Sequence, residues 1–158
     1  MGRILGIDYG TKRVGLAISD ELGMIAFPLS VIENISPRRV AEEIVKIAAE
    51  RKVESLVLGL PVNLNGTRGP AVENVEKFAE VLKRHLAIPL AFWDERLSTR
   101  IAERAMIEGG VRRERRRECI DKATAQIILQ SYLDAQVKQE VPDPEMQDAG
   151  AEDNNGQS

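Results

Sequence analysis

The chain has 158 residues, 43% hydrophobic and 30% charged, a composition that suits one domain with a core of its own. Its single cysteine excludes an internal disulfide, which favours a reducing compartment. No apolar stretch is long enough to span a membrane and the N-terminus lacks a signal-peptide pattern, so we expect a cytoplasmic protein with no membrane partner.

The formal net charge of −3 is unevenly distributed along the chain. Residues 140–158 hold six of the 25 acids and no lysine or arginine. The remainder carries 22 basic and 19 acidic residues, a mildly basic body that suits a polyanionic partner. Because the acidic segment has few large apolar side chains, we divide the chain into a folded domain, 1–138, and a disordered acidic tail, 139–158.

The first part of the chain predicts three strands and a helix. Residues 3–8 and 13–19 are apolar runs separated by a short turn, which indicates a hairpin. Residues 26–32 form a third strand, in which Pro28 marks an edge or a bulge. Ser36 and Pro37 then begin a helix, as its N-cap and first-turn proline.

The second part predicts alternating strands and helices. Residues 55–61 are nearly all apolar, as expected of a central strand covered on both faces. Pro70 opens a second helix, and residues 88–95 form a fifth strand. A third helix capped by Ser98 or Thr99, a charged connector and a last helix are expected at about 98–109, 111–118 and 119–136.

This order of elements, β-β-β-α-β-α-β-α-α, predicts an α/β fold. Three antiparallel strands and two parallel strands reached through helical crossovers form a mixed five-stranded sheet with helices on both faces. The order matches the ribonuclease H-like architecture.

Three carboxylates occupy positions at which an acid rarely stabilises a fold. Asp8 ends the first strand, Glu95 ends the fifth, and Asp121 shares an apolar helical stripe with Ala125 and Ile128. Ligands bind at the carboxyl ends of strands in open α/β sheets, so the three acids can converge there. Mg²⁺ or Mn²⁺ would relieve their repulsion, and two ions about 4 Å apart suit phosphodiester hydrolysis.

Two further acids need separate explanations. Asp94 and Glu95 are adjacent, and adjacent strand residues point to opposite faces, so the sequence leaves open which of them enters the site. Asp20 is expected to cap the turn before Leu22 and Gly23.

The turn after Asp8 also permits another interpretation. Gly10, Thr11 and Lys12 resemble the first phosphate loop of the actin, sugar kinase and Hsp70 superfamily, in which Asp8 would hold Mg²⁺ on ATP. Those proteins need two such domains across a cleft, whereas this chain has length for one. A homodimer would supply the second.

Four motifs together resemble one known family, called YqgF or RuvX, over residues 3–135. They are GIDYGTKRVGLAISD, LVLGLPVNLNGT, FWDERLST and DKATAQIILQSYL. The resemblance implies a ribonuclease H-like, divalent-metal nuclease that processes the 5′ end of the 16S rRNA precursor, a structured RNA. Branched DNA is the alternative substrate, since the family was formerly described as Holliday junction resolvases. Asp8, Glu95 and Asp121 are then the metal-binding and catalytic residues.

Residues near the three acids receive supporting roles. The resemblance implies that Gly10, Thr11, Ser98 and Thr99 shape the site. Basic and polar neighbours are expected to contact phosphates independently of sequence. An ordinary solvated surface is the alternative for the loop after residue 62 and for the arginine run, and an ion pair with Asp94 or Glu95 is the alternative for Arg96. The predicted nucleic-acid contacts are Lys12, Arg13, Asn63, Arg68, Arg96, Arg112, Arg113, Arg115 and Arg116.

Overall fold

The computed structural model describes residues 2–63, 65–95 and 113–140, with side chains in the last range only at 123–136. The elements are β1 (Arg3–Tyr9), β2 (Arg13–Ser19), β3 (Ala26–Glu33), α1 (Pro37–Arg51), β4 (Val53–Leu60), α2 (Pro70–His85), β5 (Leu90–Asp94) and α3 (Arg113–Glu140). Within these ranges, no helix is long and apolar enough to cross a membrane.

The five strands form one mixed sheet in the order β3-β2-β1-β4-β5. β1, β2 and β3 pair antiparallel, and β4 pairs parallel with both β1 and β5. Pro28 lies on the edge strand β3, and the register against β2 shifts between Leu16 and Ala17, which pair with Ser30 and Pro28. The predicted mixed five-stranded sheet is confirmed, and Pro28 marks both an edge and a bulge.

α1 and α2 cover one face of the sheet. Ser36 caps α1, because its side chain accepts a hydrogen bond of 3.2 Å from the Arg39 amide, and Pro37 follows in the first turn. Pro70 likewise opens α2. Apolar side chains of both helices pack against β1, β2 and β4 in the larger core, which includes Ile7, Leu16, Val40, Ile44, Leu58, Phe78 and Leu82.

α3 covers the other face, so helices lie on both sides of the sheet as predicted. Its buried residues Ala125, Ile128 and Leu129 pack with Ala17 and Val57 in a second core. α3 contacts every strand, most extensively the three antiparallel ones. The helix that carries position 121 therefore lies across the sheet.

α3 is longer than the sequence predicts. It begins at Arg113, so the charged connector predicted at 111–118 is wrong from residue 113 onward. Arginine and glutamate have high helix propensity, and no glycine or proline interrupts residues 113–118. The helix also continues to Glu140, two residues past the domain boundary predicted at 138. The helix predicted at 98–109 and residues 141–158 lie outside the described residues.

Candidate active site at the carboxyl edge of the sheet

Asp8 lies near the carboxyl end of β1, where it pairs with Gly15 of β2 and is half-buried. Side chains alternate between faces along a strand, so Asp8 shares its face with Gly6. A Cβ on Gly6 would lie 2.8 Å from Cβ of Leu129, which shows that this face is the one under α3. The Asp8 side chain therefore belongs to the α3 side of the sheet.

Glu95 follows β5, and its carboxylate reaches over the neighbouring strand. Its amide donates to the carbonyl oxygen of Leu60 at 3.2 Å, which continues the parallel pairing of β4 and β5 one step beyond Asp94. A Cβ on Gly59 would lie 2.7 Å from Oε2 of Glu95. The carboxylate therefore occupies the space that any side chain at position 59 would fill.

Gly59 also relates Glu95 to Asp8. β1 and β4 are paired in parallel up to Ile7 and Leu58, and one further step in each strand reaches Asp8 and Gly59. Neighbouring strands are about 4.8 Å apart, so the Glu95 carboxylate lies about one strand spacing from the strand that carries Asp8. The two carboxylates share one face and one edge of the sheet.

Asp94 points away from this face. It pairs with Leu60, which packs against the core under α1 and α2. Trp93, in contrast, packs under α3, where its ring meets that of Tyr132 edge-on at 5.8 Å between centroids. Glu95 lies two residues after Trp93, so its side chain points to the same face. The structure therefore places Glu95 on the α3 face and Asp94 on the other face, which answers the question that the sequence leaves open.

Asp121 lies in α3, one helical turn before Ala125. The carbonyl oxygen of Ala125 would lie 3.2 Å from a Cβ on Gly6, so the helix passes close above β1. The Asp121 side chain lies outside the described residues, and its role as the third acid stays a prediction. Among the side chains that are described, no group of three or more histidines, cysteines or acids forms a ready metal cluster.

Two glutamines that sequence reasoning missed fix α3 against the edge strand. Gln130 accepts from the Ala26 amide at 2.9 Å and donates to the Met24 carbonyl at 3.0 Å. Gln126 donates to the Ala26 carbonyl at 3.0 Å. The sequence signal is their spacing of four, which places two amides on one side of an otherwise apolar helix face.

The β1–β2 turn is closed by its own backbone. The Gly10 amide donates to the Arg13 carbonyl at 3.0 Å, and a Cβ on Gly10 would lie 2.5 Å from that same oxygen. The Asn34 side chain donates to the Gly10 carbonyl at 2.8 Å. The turn itself therefore explains the glycine, and it leaves Thr11 and Lys12 exposed beside the site.

The loop after β4 lies at the same edge of the sheet and is held by internal bonds. Asn63 donates to the Thr67 hydroxyl at 3.0 Å, and Gly66 has the left-handed φ of 87° that the turn requires. Arg68 forms an ion pair with Glu76 at 3.2 Å, with both side chains about half exposed. Both predicted nucleic-acid contacts in this loop thus have partners within the protein.

The remaining predicted site residues cannot be placed by their side chains. Arg96, Ser98, Thr99 and Arg112 lie outside the described residues. Three arginines, Arg113, Arg115 and Arg116, form the first turn of α3, where only the backbone is described. Their contacts with nucleic acid stay predictions.

The described donors fit a hard divalent cation. Mg²⁺ and Mn²⁺ prefer oxygen ligands, and Asp8 and Glu95 present carboxylates on one face at the carboxyl edge. Because Gly59 has no Cβ, there is room above it for the Glu95 carboxylate. An ordinary buried strand would not need that room. Asp8 and Glu95 thus fit a divalent cation, and the metal site itself stays a prediction.

Comparison with other sequences identifies the family. The chain matches the RuvX family, described as Holliday junction resolvase, over residues 2–135. It is 45% identical over 136 residues to a Clostridioides difficile protein named "Putative pre-16S rRNA nuclease", covering 86% of this chain and 96% of the relative. A Clostridium botulinum protein of the same name is 46% identical over 133 residues, covering 84% and 97%.

Comparison with solved structures agrees on the fold. Fowlpox virus resolvase in complex with Holliday junction DNA superposes with a TM-score of 0.56 at 13% identity, covering 86% of this chain and 99% of that one. RuvC of T. thermophilus with its Holliday junction substrate gives 0.54 at 14% identity, covering 87% and 96%. The architecture is ribonuclease H-like, and the protein belongs to the RuvX family of nucleases.

Proposed function

We propose that this protein is a divalent-metal-dependent nuclease that processes the 5′ end of the 16S rRNA precursor. The family assignment and the names of relatives near 45% identity support the substrate. One structural observation supports the chemistry, namely that Asp8 and the Glu95 carboxylate above Gly59 share one face at the carboxyl edge of the sheet.

The three acids would hold the metal ions from three different elements. Asp8 comes from the central strand β1, Glu95 from the residue after the edge strand β5, which is separated from β1 by β4, and Asp121 from the helix α3. The bound ions would supply Lewis-acid stabilisation of the charge that develops on the phosphate oxygens. Pairing with Gly15 of β2 orients Asp8, and the bond to Leu60 together with the space above Gly59 orients Glu95.

Neighbouring groups would bind the nucleic-acid backbone. Lys12 is exposed in the turn that follows Asp8, where its ammonium group can neutralise a phosphate as a point charge. Such contacts between a charged side chain and a phosphate are independent of sequence and weaken with salt.

In the reaction itself, water attacks the phosphorus and the bond to the 3′ oxygen breaks. The products carry a 5′ phosphate and a 3′ hydroxyl.

Branched DNA is the second candidate substrate, because the matching family is described as Holliday junction resolvase. The ATP-binding interpretation has less support. A phosphate loop needs backbone amides that point at the ligand, whereas the Gly10 amide is bonded to the Arg13 carbonyl. The turn is thus better suited to close a hairpin than to surround a phosphate.

The substrate is tested by direct competition between the two candidates. The full-length protein would be incubated with a precursor 16S rRNA 5′ fragment and with a four-way DNA junction, each with Mg²⁺, Mn²⁺ or EDTA. We expect metal-dependent cleavage of the RNA, lost in Asp8→Asn and retained in Asp20→Asn, an acid in the β2–β3 turn. Cleavage of the junction alone would overturn the RNA assignment, and cleavage that survives EDTA would overturn the metal site.

A further inference from the structure

A cleft lies on the other side of β1 from the carboxylates. We call it the base cleft; its volume is about 340 Å³, and it lies between the end of β1, residues 34–37 and α2. Tyr9, the residue after Asp8, lines it together with Asn34, Asn74 and Lys77. Because adjacent strand residues point to opposite faces, the cleft and the acids lie back to back at the same strand end.

The floor of the base cleft is aromatic. The Tyr9 ring stacks on Phe78 of α2, with centroids 4.1 Å apart and planes inclined by 13°. Phe78 is buried, whereas Tyr9 is half-buried and lines the cleft. Val81 and Pro37 extend the apolar lining. The cleft therefore presents one half-buried aromatic side chain, backed by the buried Phe78 ring, to a planar ligand.

The rim of the cleft is polar and in part held in place. Asn34 is held by two hydrogen bonds. Its side-chain amide donates to the Gly10 carbonyl at 2.8 Å, and its backbone amide donates to the Lys12 carbonyl at 2.9 Å. Asn74 and Lys77 are exposed on α2. Two amide side chains and an ammonium group can thus bond the edge of a ring that lies on the floor.

A second groove continues from the base cleft along the β1–β2 turn. The two share Thr11, Asn34 and Ile35, and Lys12 and Arg13 line the second, which has a volume of about 550 Å³. Among the residues that line either one, three are basic and one, Glu33, is acidic. Ile35, 71% exposed, lies where they meet. The excess of positive charge favours a polyanion along this path.

We infer that the base cleft binds an unpaired nucleobase of the substrate strand, with the neighbouring phosphates in the second groove. Unpaired bases are recognised by stacking on aromatic rings and by hydrogen bonds to their edges, which are the groups found here. The volume lies within the range of about 300–1,000 Å³ typical of small-ligand sites. The inference rests on the proposed nuclease function and adds a requirement for an unpaired nucleotide near the cleaved bond.

The adjacency of Tyr9 and Asp8 in the chain determines where the unpaired nucleotide lies relative to the cleaved bond. Asp8 and Tyr9 are consecutive, so a strand that passes the end of β1 can present a phosphate on one side and a base on the other. Paired bases cannot enter the cleft without leaving the duplex, which costs unstacking energy. The cleft would therefore direct cleavage to single-stranded or frayed positions.

Binding without turnover tests this inference. The full-length protein in EDTA would be titrated by fluorescence anisotropy with precursor 16S rRNA 5′ fragments, whose processing site fixes the binding register, each carrying one abasic site at a different unpaired position. We expect one position at which the abasic site weakens binding about tenfold, as for the loss of one stacked base. In Tyr9→Leu that penalty should disappear, because the stacking surface is lost, and in Asn74→Ala it should shrink, because the base loses one contact at its edge.

The controls separate this inference from the proposed function. Asn74 is exposed, so Asn74→Ala tests the cleft without disturbing the core. Lys77→Ala removes a second residue that lines the cleft, and Lys83→Ala, on the same helix but outside the cleft, is its matched control. An abasic penalty that is absent in the wild type, or undiminished in both variants, overturns the cleft assignment alone. A mononucleotide that binds as tightly as the RNA fragments overturns it too, whereas failure to bind any RNA or DNA overturns the proposed function itself.

Discussion

The carboxylate of Glu95 lies above Gly59, so closely that a Cβ at position 59 would be 2.7 Å from Oε2. The same Cβ would lie 2.7 Å from Cδ1 of Ile128 in α3. One glycine thus accommodates both the proposed ligand and the helix above it. The absence of a side chain at this position is part of the site.

Gly59→Ala should therefore impair metal use as well as packing. The added methyl group must displace Glu95, Ile128 or both, and overpacking of this kind costs about 1–3 kcal/mol. We expect a lower unfolding midpoint and a shift of the Mn²⁺ dependence of cleavage to higher concentration. Gly69→Ala is the matched control, since its Cβ would approach the Asn63 side chain no closer than 3.4 Å. An unchanged Mn²⁺ dependence in Gly59→Ala would contradict the proposed position of Glu95.

Gln130→Ala should loosen α3 from the edge strand. The variant leaves the amide of buried Ala26 without its partner, at a cost of about 1–3 kcal/mol, and also removes the bond to the exposed Met24 carbonyl, which water can replace. Chemical denaturation should show a larger loss of unfolding free energy than in Gln126→Ala, which removes the bond to the Ala26 carbonyl. Equal losses, or none, would show that the glutamines do not hold the helix.

Asp20 should titrate below the ordinary aspartate range. Hydrogen bonds from the Ile25 and Met24 amides to its carboxylate lower the pKa of Asp20. Because the folded-state pKa is depressed, its stabilising contribution is present above the ordinary value of about 3.9 and is lost as pH falls through the lower folded value. A carboxyl-carbon NMR titration should give a midpoint below that of an unstructured peptide, and a midpoint at or above it would contradict the capped turn.

Much of the fold could be predicted because its signals are local. Ser36 and Pro37 mark a helix start by capping chemistry, and the confirmed Asp20 turn follows from an acid ahead of a glycine. The connector predicted at 113–118 is wrong, because a run of charged residues is typical of a connector but also of a helix. Arginine and glutamate both have high helix propensity, and the residues are helical in the structure.

The site was only partly predictable because its decisive features are tertiary. Nothing local distinguishes Gly6 and Gly59 from other strand glycines, since each is required by a side chain from a distant element. The choice between Asp94 and Glu95 depends on how β5 registers against β4, which a single strand cannot reveal. The bonds of Gln126 and Gln130 reach about 100 residues along the chain to the edge strand.

The adjacent pair Asp94 and Glu95 offers the most direct test of the central claim, that Asp8 and Glu95 form the metal site on the α3 face. Metal-dependent cleavage and Mn²⁺ binding would be measured for Glu95→Gln and Asp94→Asn, two variants that each remove one negative charge from neighbouring residues. We predict that Glu95→Gln loses activity about a hundredfold or more and binds Mn²⁺ more weakly, while Asp94→Asn stays near the wild type. The reverse pattern, or full activity in Glu95→Gln, would contradict the account.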